Sequence, residues 1–382
     1  MPVSSVLHIL RTIKDRGSIS RTDLQQLTGL SWGTVTNTTR QLLDRKLVRE
    51  DGAHSNKAGR KPMSLALFPA GHGLVGIDIG PAAIRCLAAN LAADILFEEI
   101  LPLGAEDEPA AILARVTDLV RRAQSAADGR EIFGVGIALS GRLDAAHTQI
   151  CAPGMPRWNN VPIRTVLESH LHLPVCLQHH SAALALAESW FGAASADDLL
   201  CIDLGESVNL GILIDGEVFR GGAGIAASLA HVSLDPNGPP CSCGNHGCVD
   251  TYCAAPGVLA FARQSANPSG ANAHATSIEE LTVLAAAGND SARAAFDRMG
   301  HHLALGINTL IQLFDPALIV LTGTSTVAAD FFQPALMRQL ATHVPCGKLL
   351  LSRLGSRAAA LGACVAVLQS TFPSAQPAPN FR

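Results

Sequence analysis

Residues 74–80 read Leu74-Val75-Gly76-Ile77-Asp78-Ile79-Gly80, and residues 199–205 read Leu199-Leu200-Cys201-Ile202-Asp203-Leu204-Gly205. Each is a short apolar run closed by Asp-x-Gly. A run of that length, bounded by a turn signal, is the pattern of a strand buried on both faces. Ile84–Asn90 and Ile95–Leu101 extend the first copy into a meander, and Asn209–Ile214 and Glu217–Arg220 extend the second. Between the copies, Ala110–Ala126 and Ser181–Phe191 read as helices. Phe133–Leu139, followed by Ser140-Gly141, reads as a further buried strand. The theme of strand, Asp-x-Gly and hairpin occurs twice. It predicts a duplicated α/β architecture with two lobes and a cleft between them.

Upstream of the first copy the period changes. Val6, Ile9, Leu10 and Ile13 recur at helical spacing, Gly17 ends that run, and Ser20 is placed to cap the next helix. Leu24 and Leu27 mark the second helix and Gly29 stops it. Val35, Leu42 and Leu43 mark the inner face of a third. Two short helices joined by a Gly-containing turn form a helix-turn-helix. Strand-like segments at Leu47–Glu50 and Ser64–Leu67 flank a polar loop, Asp51–Met63, which carries Lys57, Arg60 and Lys61. That hairpin completes a winged helix. Ser31, Trp32, Thr34, Thr36, Asn37 and Arg40 are the candidate base-reading residues of the third helix, and Arg60 and Lys61 of the wing are candidate phosphate or minor-groove contacts. Trp32 has a second reading, as a packing residue against the first helix.

Charge supports a nucleic-acid role for this head. Residues 1–62 hold eleven Lys/Arg against five Asp/Glu, while the whole chain has 28 against 32. A basic head on an acidic body predicts that one end meets a polyanion, here double-stranded DNA. With 382 residues, 48% of them hydrophobic, the chain is long enough for two to three domains of about 150 residues each. No apolar run reaches the roughly 18 residues of a membrane span, and no secretory signal is evident. The expected location is the cytoplasm.

Ten cysteines in this length are too few for a disulfide scaffold, yet three cluster in Cys241-Ser-Cys243-Gly-Asn-His-Gly-Cys248. With His231 upstream they make a Cys₃His set suited to tetrahedral Zn²⁺ in a closed, structural site. His246, inside the knuckle, is the rival to His231. Six scattered histidines, His8, His54, His170, His172, His301 and His302, read as surface or structural residues.

The knuckle, the Gly-rich segment before it and the winged head together resemble the ROK family of repressors and sugar kinases. The resemblance covers about residues 5–370. It implies that His231, Cys241, Cys243 and Cys248 bind zinc, and that the body has the two-lobed actin-like ATPase fold (a ribonuclease H-like duplicated α/β domain). The expected fold class is therefore an α+β multidomain chain. Residues 1–70 are the winged helix-turn-helix, 71–190 the first lobe, 191–370 the second lobe with the knuckle, and 371–382 a flexible tail. The head, ending in Gly59-Arg60-Lys61-Pro62, is similar to that of the family's repressors and is lacking in its kinases.

Departures from the kinase pattern decide what the resemblance implies for activity. The family's kinases carry Asp-x-Gly-Gly-Thr at the first phosphate loop, where backbone N–H groups approach phosphate. This chain has Asp78-Ile79-Gly80-Pro81-Ala82, and Pro81 has no N–H. The kinases' Glu-Asn-Asp is Gln178-His179-His180, which puts His180 at the catalytic-base position. The two sugar-binding glutamates of the family correspond to Ser228 and Asp250. Phosphoryl transfer is not expected. The expected function is a sequence-specific DNA-binding transcriptional regulator, a repressor, working as a homodimer or homotetramer under a carbohydrate-related small-molecule effector. The candidate effector residues are His179, His180, Ser228, His231 and Asp250, and the imidazoles at 179 and 180 are expected to favour an anionic ligand. The competing reading is a ROK-type carbohydrate kinase with an accessory DNA-binding head.

Overall fold

The computed structural model describes residues 5–52, 63–104, 106–141, 143–144, 146–151, 156–192, 196–222, 228–265, 275–340 and 348–372. The wing residues Arg60 and Lys61, His54, and residues 373–382 of the expected tail lie outside the described residues.

The head folds from helices α1 (Ser5–Arg16), α2 (Arg21–Thr28) and α3 (Trp32–Asp44) and strands β1 (Ser18–Ser20), β2 (Val48–Glu50) and β3 (Ser64–Leu67). β3 is the middle strand, antiparallel to both neighbours. Ser20 caps α2 by accepting from the Asp23 N–H at 3.2 Å, and Gly29 ends α2 in the left-handed region at φ 66°. β1 was not expected. Three residues between two helices are too few to show a period.

The first lobe contains β4 (His72–Ile79), β5 (Ala83–Ala89), β6 (Ile95–Pro102), α4 (Pro109–Ala126), β7 (Glu131–Leu139), α5 (Ile163–Leu171), β8 (Val175–His179) and α6 (His180–Phe191). The second contains β9 (Leu199–Leu204), β10 (Val208–Ile214), β11 (Glu217–Val218), α7 (Val249–Cys253), α8 (Ala255–Gln264), α9 (Ile278–Ala286), α10 (Asp290–Phe314), β12 (Leu318–Thr322), α11 (Ala329–Leu340), β13 (Lys348–Leu351) and α12 (Ala358–Thr371). The sheet orders are β6-β5-β4-β7-β8 and β11-β10-β9-β12-β13. In each, an antiparallel meander precedes two strands parallel to the Asp-x-Gly strand. The duplication expected from the two Asp-x-Gly runs is thus present strand for strand.

Two helices tie the lobes together. α12 returns from the end of the second lobe to cover β4 and β7, and it packs along α6, which itself covers β9 and β10. Both helices are rich in alanine, and the backbones approach closely. A Cβ on Gly362 of α12 would stand 1.7 Å from the Ala183 carbonyl oxygen of α6. α12 extends to Thr371, and Phe372 after it is buried, so the ordered body runs to the first residues of the expected tail.

The head docks on this helix pair. Leu7, Ile9, Leu10 and Ile13 of α1 share one apolar cluster with Leu184 and Leu186 of α6 and Leu361 and Leu368 of α12. Arg11 pairs with Asp197 and donates to Ser189 Oγ at 3.3 Å. Lys14 donates to the Trp190 carbonyl and lies over the Trp190 ring. The Arg45 guanidinium lies 5.0 Å from the centroid of the Phe372 ring. The C-terminal end of α6 is therefore part of the seat of the head. Among the described residues no helix is long and apolar enough to cross a membrane.

Candidate functional site

The third helix of the head presents a polar face. Val35, Thr38, Thr39 and Leu42 point into the core, whereas Asn37, Arg40, Gln41 and Asp44 are exposed. Trp32 is 50% exposed, which leaves half of its surface open on the same side chain that the sequence also read as a packing residue against α1. Ser31 acts as the N-cap. Its Oγ accepts from the Thr34 N–H at 3.1 Å and lies 2.8 Å from Thr34 Oγ1. Both hydroxyls are thereby engaged with the helix start. Thr36 is half-buried and its hydroxyl oxygen has no partner among the described residues. Asn37 and Arg40, one turn apart, lie on the exposed face. Gln41 shares that face and was not singled out in the sequence.

The knuckle is built by backbone hydrogen bonds around two glycines. Cys241 N–H donates to the Asn245 carbonyl at 2.8 Å, Gly244 N–H to the Cys241 carbonyl at 3.0 Å, and Gly247 N–H to the Pro239 carbonyl at 2.8 Å. Gly247 has φ 62°, and a Cβ there would meet the Asp235 carbonyl oxygen at 1.8 Å, so only glycine fits. The turn brings one ligand atom each from His231, Cys241, Cys243 and Cys248 within 4.8 Å of one another. Cys243 and Cys248 sulfurs are 3.7 Å apart, and Cys241 Sγ is 3.6 Å from His231 Nδ1. A tetrahedral ion with metal–sulfur bonds of about 2.3 Å and a metal–nitrogen bond of about 2.0 Å has edges of about 3.8 and 3.6 Å. The four side chains fit that ion. His246 is exposed and stands outside the cluster, with its carbonyl accepting from Ser233 Oγ at 2.7 Å. The Cys243 backbone N–H brings the Cys241 thiol down to about 7, while burial and the neighbouring thiols push Cys248 up to about 12. Three thiolates cannot coexist this closely without a cation among them.

In the cleft, the carboxylates of the two Asp-x-Gly strands meet one imidazole. His180, the first residue of α6, places Nδ1 3.1 Å from Asp78 Oδ1 and Nε2 4.0 Å from Asp203 Oδ2. Burial lowers the pKa of His180. The hydrogen bond to Asp78 and the charges of both aspartates outweigh that effect and raise it. Burial raises Asp203, with His180 opposing. The triad joins both lobes to the start of the helix that reaches the head.

The first phosphate loop has little to offer a phosphate. Gly80 N–H donates to the Ala83 carbonyl at 3.0 Å, and Pro81 has no N–H to give. The remaining effector candidates are dispersed in their tasks. His179 caps α6, with Nδ1 accepting from the Ser181 N–H at 3.3 Å, and burial brings its pKa down to about 4. It is neutral at physiological pH and carries no charge for an anion, contrary to the sequence expectation. His180 spends its charge on Asp78 and Asp203. Asp250 accepts from Ser207 Oγ at 2.8 Å and from the Val208 N–H at 2.7 Å, which engages both its oxygens with the turn into β10. Ser228 is exposed, and His231 belongs to the Cys/His cluster.

A family model described as "ROK family" matches residues 74–370, and the MarR family model matches residues 4–56. The xylose repressor of Caldicellulosiruptor bescii is 28% identical over 384 residues, covering 96% of each chain. A solved ROK family transcriptional regulator, described as a homolog of the E. coli Mlc protein, superposes with a TM-score of 0.79 at 25% identity over 96% of this chain and 95% of its own. The ROK hexokinase of Thermus thermophilus superposes with a TM-score of 0.68 at 26% identity over 78% of this chain and 99% of its own. The regulators match from end to end. The hexokinase is matched almost whole while leaving part of this chain over.

Proposed function

The chain belongs to the ROK family, and from that premise we propose that it is a sugar-responsive, DNA-binding transcriptional repressor and not a kinase. The observation that carries the reading is the end-to-end match to a xylose repressor, head included. Two features of the chain support it. The Asp78–Ala82 loop has its Gly80 amide committed and a proline next to it, and His180 is held by two carboxylates instead of being free to take a proton from a sugar hydroxyl. The accessory-head kinase reading loses its phosphate site on the same grounds.

In this reading α3 enters the major groove. Asn37 and Arg40 reach base edges beside Trp32 and Thr36, while Ser31 and Thr34 hold the helix start, and Arg60 and Lys61 serve phosphate or the minor groove. His231, Cys241, Cys243 and Cys248 would hold a structural Zn²⁺ with no open coordination position. That ion would fix the knuckle and supply no chemistry. The carbohydrate effector would lie in the cleft near His179, His180, Ser228, His231 and Asp250. The repressor would act in the cytoplasm as a homodimer or homotetramer reading paired half-sites. The sequence division at residues 70 and 190 marks its head and first lobe.

Binding of a duplex selected from a random pool, followed by fluorescence anisotropy, tests the head. Asn37→Ala should reduce discrimination between the selected and a random duplex by about 1–3 kcal/mol. Arg60→Ala should weaken both alike and flatten the salt dependence. Equal losses on both duplexes for Asn37→Ala would remove it from base reading. ATP turnover with any sugar would overturn the non-kinase assignment.

A further inference from the structure

A cavity of about 270 Å³ lies where the first lobe, β11 and the last turns of α12 meet. His147, Arg164 and Gln178 line it from the first lobe, Glu217 and Arg220 from the end of the β11 hairpin, and Gln369 from α12. None of Asp78, His180 and Asp203 is in its wall. The volume is near the lower bound of small-molecule pockets, roughly 300 Å³, and suits a molecule of monosaccharide size.

The wall mixes polar groups with Cys176, Leu177 and Ala366, and its polar groups are only partly used. His147 places Nδ1 3.1 Å from the Leu177 carbonyl, so Nδ1 carries the proton and Nε2 remains an acceptor. Gln369 donates through Nε2 to the Gly216 carbonyl at 3.0 Å, which leaves its own oxygen. Arg164 donates through Nε to Glu168 at 3.0 Å. Arg220 has no carboxylate within 4.0 Å among the described residues, and Glu217 attracts it from beyond that distance. Burial lowers the Arg220 pKa and likewise that of His147, which keeps His147 neutral, and burial raises Glu217. Arg164 is balanced by its pair with Glu168, which leaves Arg220, with Glu217 the one carboxylate of the wall, as the guanidinium without a close partner among the described residues. A guanidinium cannot escape desolvation by losing its proton, so it calls for an anion.

We propose that this cavity is a second small-molecule site and that it takes a hydroxylated anion of monosaccharide size. The carboxylate or phosphate of that molecule pairs with Arg220. Gln178, Gln369 and Glu217 receive its hydroxyls. A bidentate guanidinium contact suits either anion. The site joins residues of both lobes, so its occupant would hold them in one relative position.

Calorimetry on the full-length protein tests this with D-glucuronate, D-glucose 6-phosphate, inorganic phosphate and neutral D-xylose. One or both sugar anions should bind, and the two arms separate carboxylate from phosphate recognition. Arg220→Gln should weaken that binding by about tenfold or more, the range of a lost charged hydrogen-bond pair. Arg220→Lys should fall between, and the melting temperature of each variant shows that it is folded. An excess of D-xylose should not displace the anion. Absence of binding by both sugar anions, an unchanged affinity in folded Arg220→Gln, displacement by D-xylose, or inorganic phosphate binding as tightly as the sugar anions would each overturn the proposal. The measurement contains no DNA, so its failure and the failure of the repressor reading are told apart.

Discussion

In the knuckle, Cys243 and Cys248 hold their sulfurs 3.7 Å apart beside Cys241 and His231, a set of four ligand atoms that could hold a metal ion. In the cleft, Asp78 and Asp203 also converge, but His180 stands between them and its pKa is raised. The first place could be completed by an external cation, whereas in the second His180, its pKa raised by the aspartates, stands between the carboxylates. In the family's kinases the resemblance puts a carboxylate at position 180. His180 at that position instead joins the two lobes through its contacts with Asp78 and Asp203.

The largest effect that would break this comparison is loss of the metal. Purified protein should contain about one Zn²⁺ per chain. Cys243→Ser should lose it and destabilise the second lobe by about 4 kcal/mol or more, as expected where metal binding is coupled to folding. Metal analysis and chemical denaturation check both. A metal-free variant that unfolds at the wild-type midpoint would remove the distinction between the two places.

A smaller effect is expected at the cleft. His180→Asp replaces the internal cation by a third carboxylate. It should cost about 3 kcal/mol, the lower end of the range for breaking a buried pair because His180 and both aspartates keep some exposure. Millimolar Mg²⁺ or Ca²⁺ should recover part of that loss in the variant and leave the wild type unchanged. Indifference of the variant to both ions would show that charge does not govern the site.

The smallest effect is in the pH profile. The folded-state pKa of His180 is raised above 6.5, so its contribution to stability is present below that value and is lost as pH rises through the raised pKa. His179, lowered to about 4, works the other way. Its contribution is present above pH 6.5 and is lost as pH falls toward 4. Denaturation midpoints from pH 5 to 9 should therefore decline on both sides. His180→Gln should remove the alkaline decline and His179→Asn the acid one. A profile that keeps its alkaline decline in His180→Gln would assign it to another group.

Much of this was legible in the sequence because it was written in patterns of short range. The Asp-x-Gly strands, the cap at Ser20 and the clustering of the C-x-C-x₄-C cysteines each depend on neighbours a few residues away and are present in the structure, whereas the capping role of Ser31 was not read from the sequence. The pairing of His180 with both Asp78 and Asp203 was not legible, although all three residues had been noticed. It depends on where two sheets and one helix start meet, over separations of 102 residues in the first contact. Arg220 and His147 carried no motif at all. The signals available were an arginine at the very end of a hairpin and a histidine at position 147 with φ 51°, and the second is visible only in the fold. The return of α12 to the first lobe was hidden for a similar reason. An alanine-rich helix is apolar all round and does not name the surface it covers.

That composition has a mechanical consequence. Force applied to packed side chains is ordinarily dissipated by rotamer changes, since long side chains have alternative wells close in energy. Ala183, Ala185 and Ala187 of α6 and Ala360 and Ala363 of α12 are fully buried and have no rotamers to change, and at Gly362 the two backbones are in direct contact. The pair behaves as a stiff rod. α6 spans about 18 Å from His180 to Phe191 at 1.5 Å per residue, with the aspartate triad gripping one end and Arg11 and Lys14 of the head gripping the other. A displacement at the triad end is not absorbed along the way.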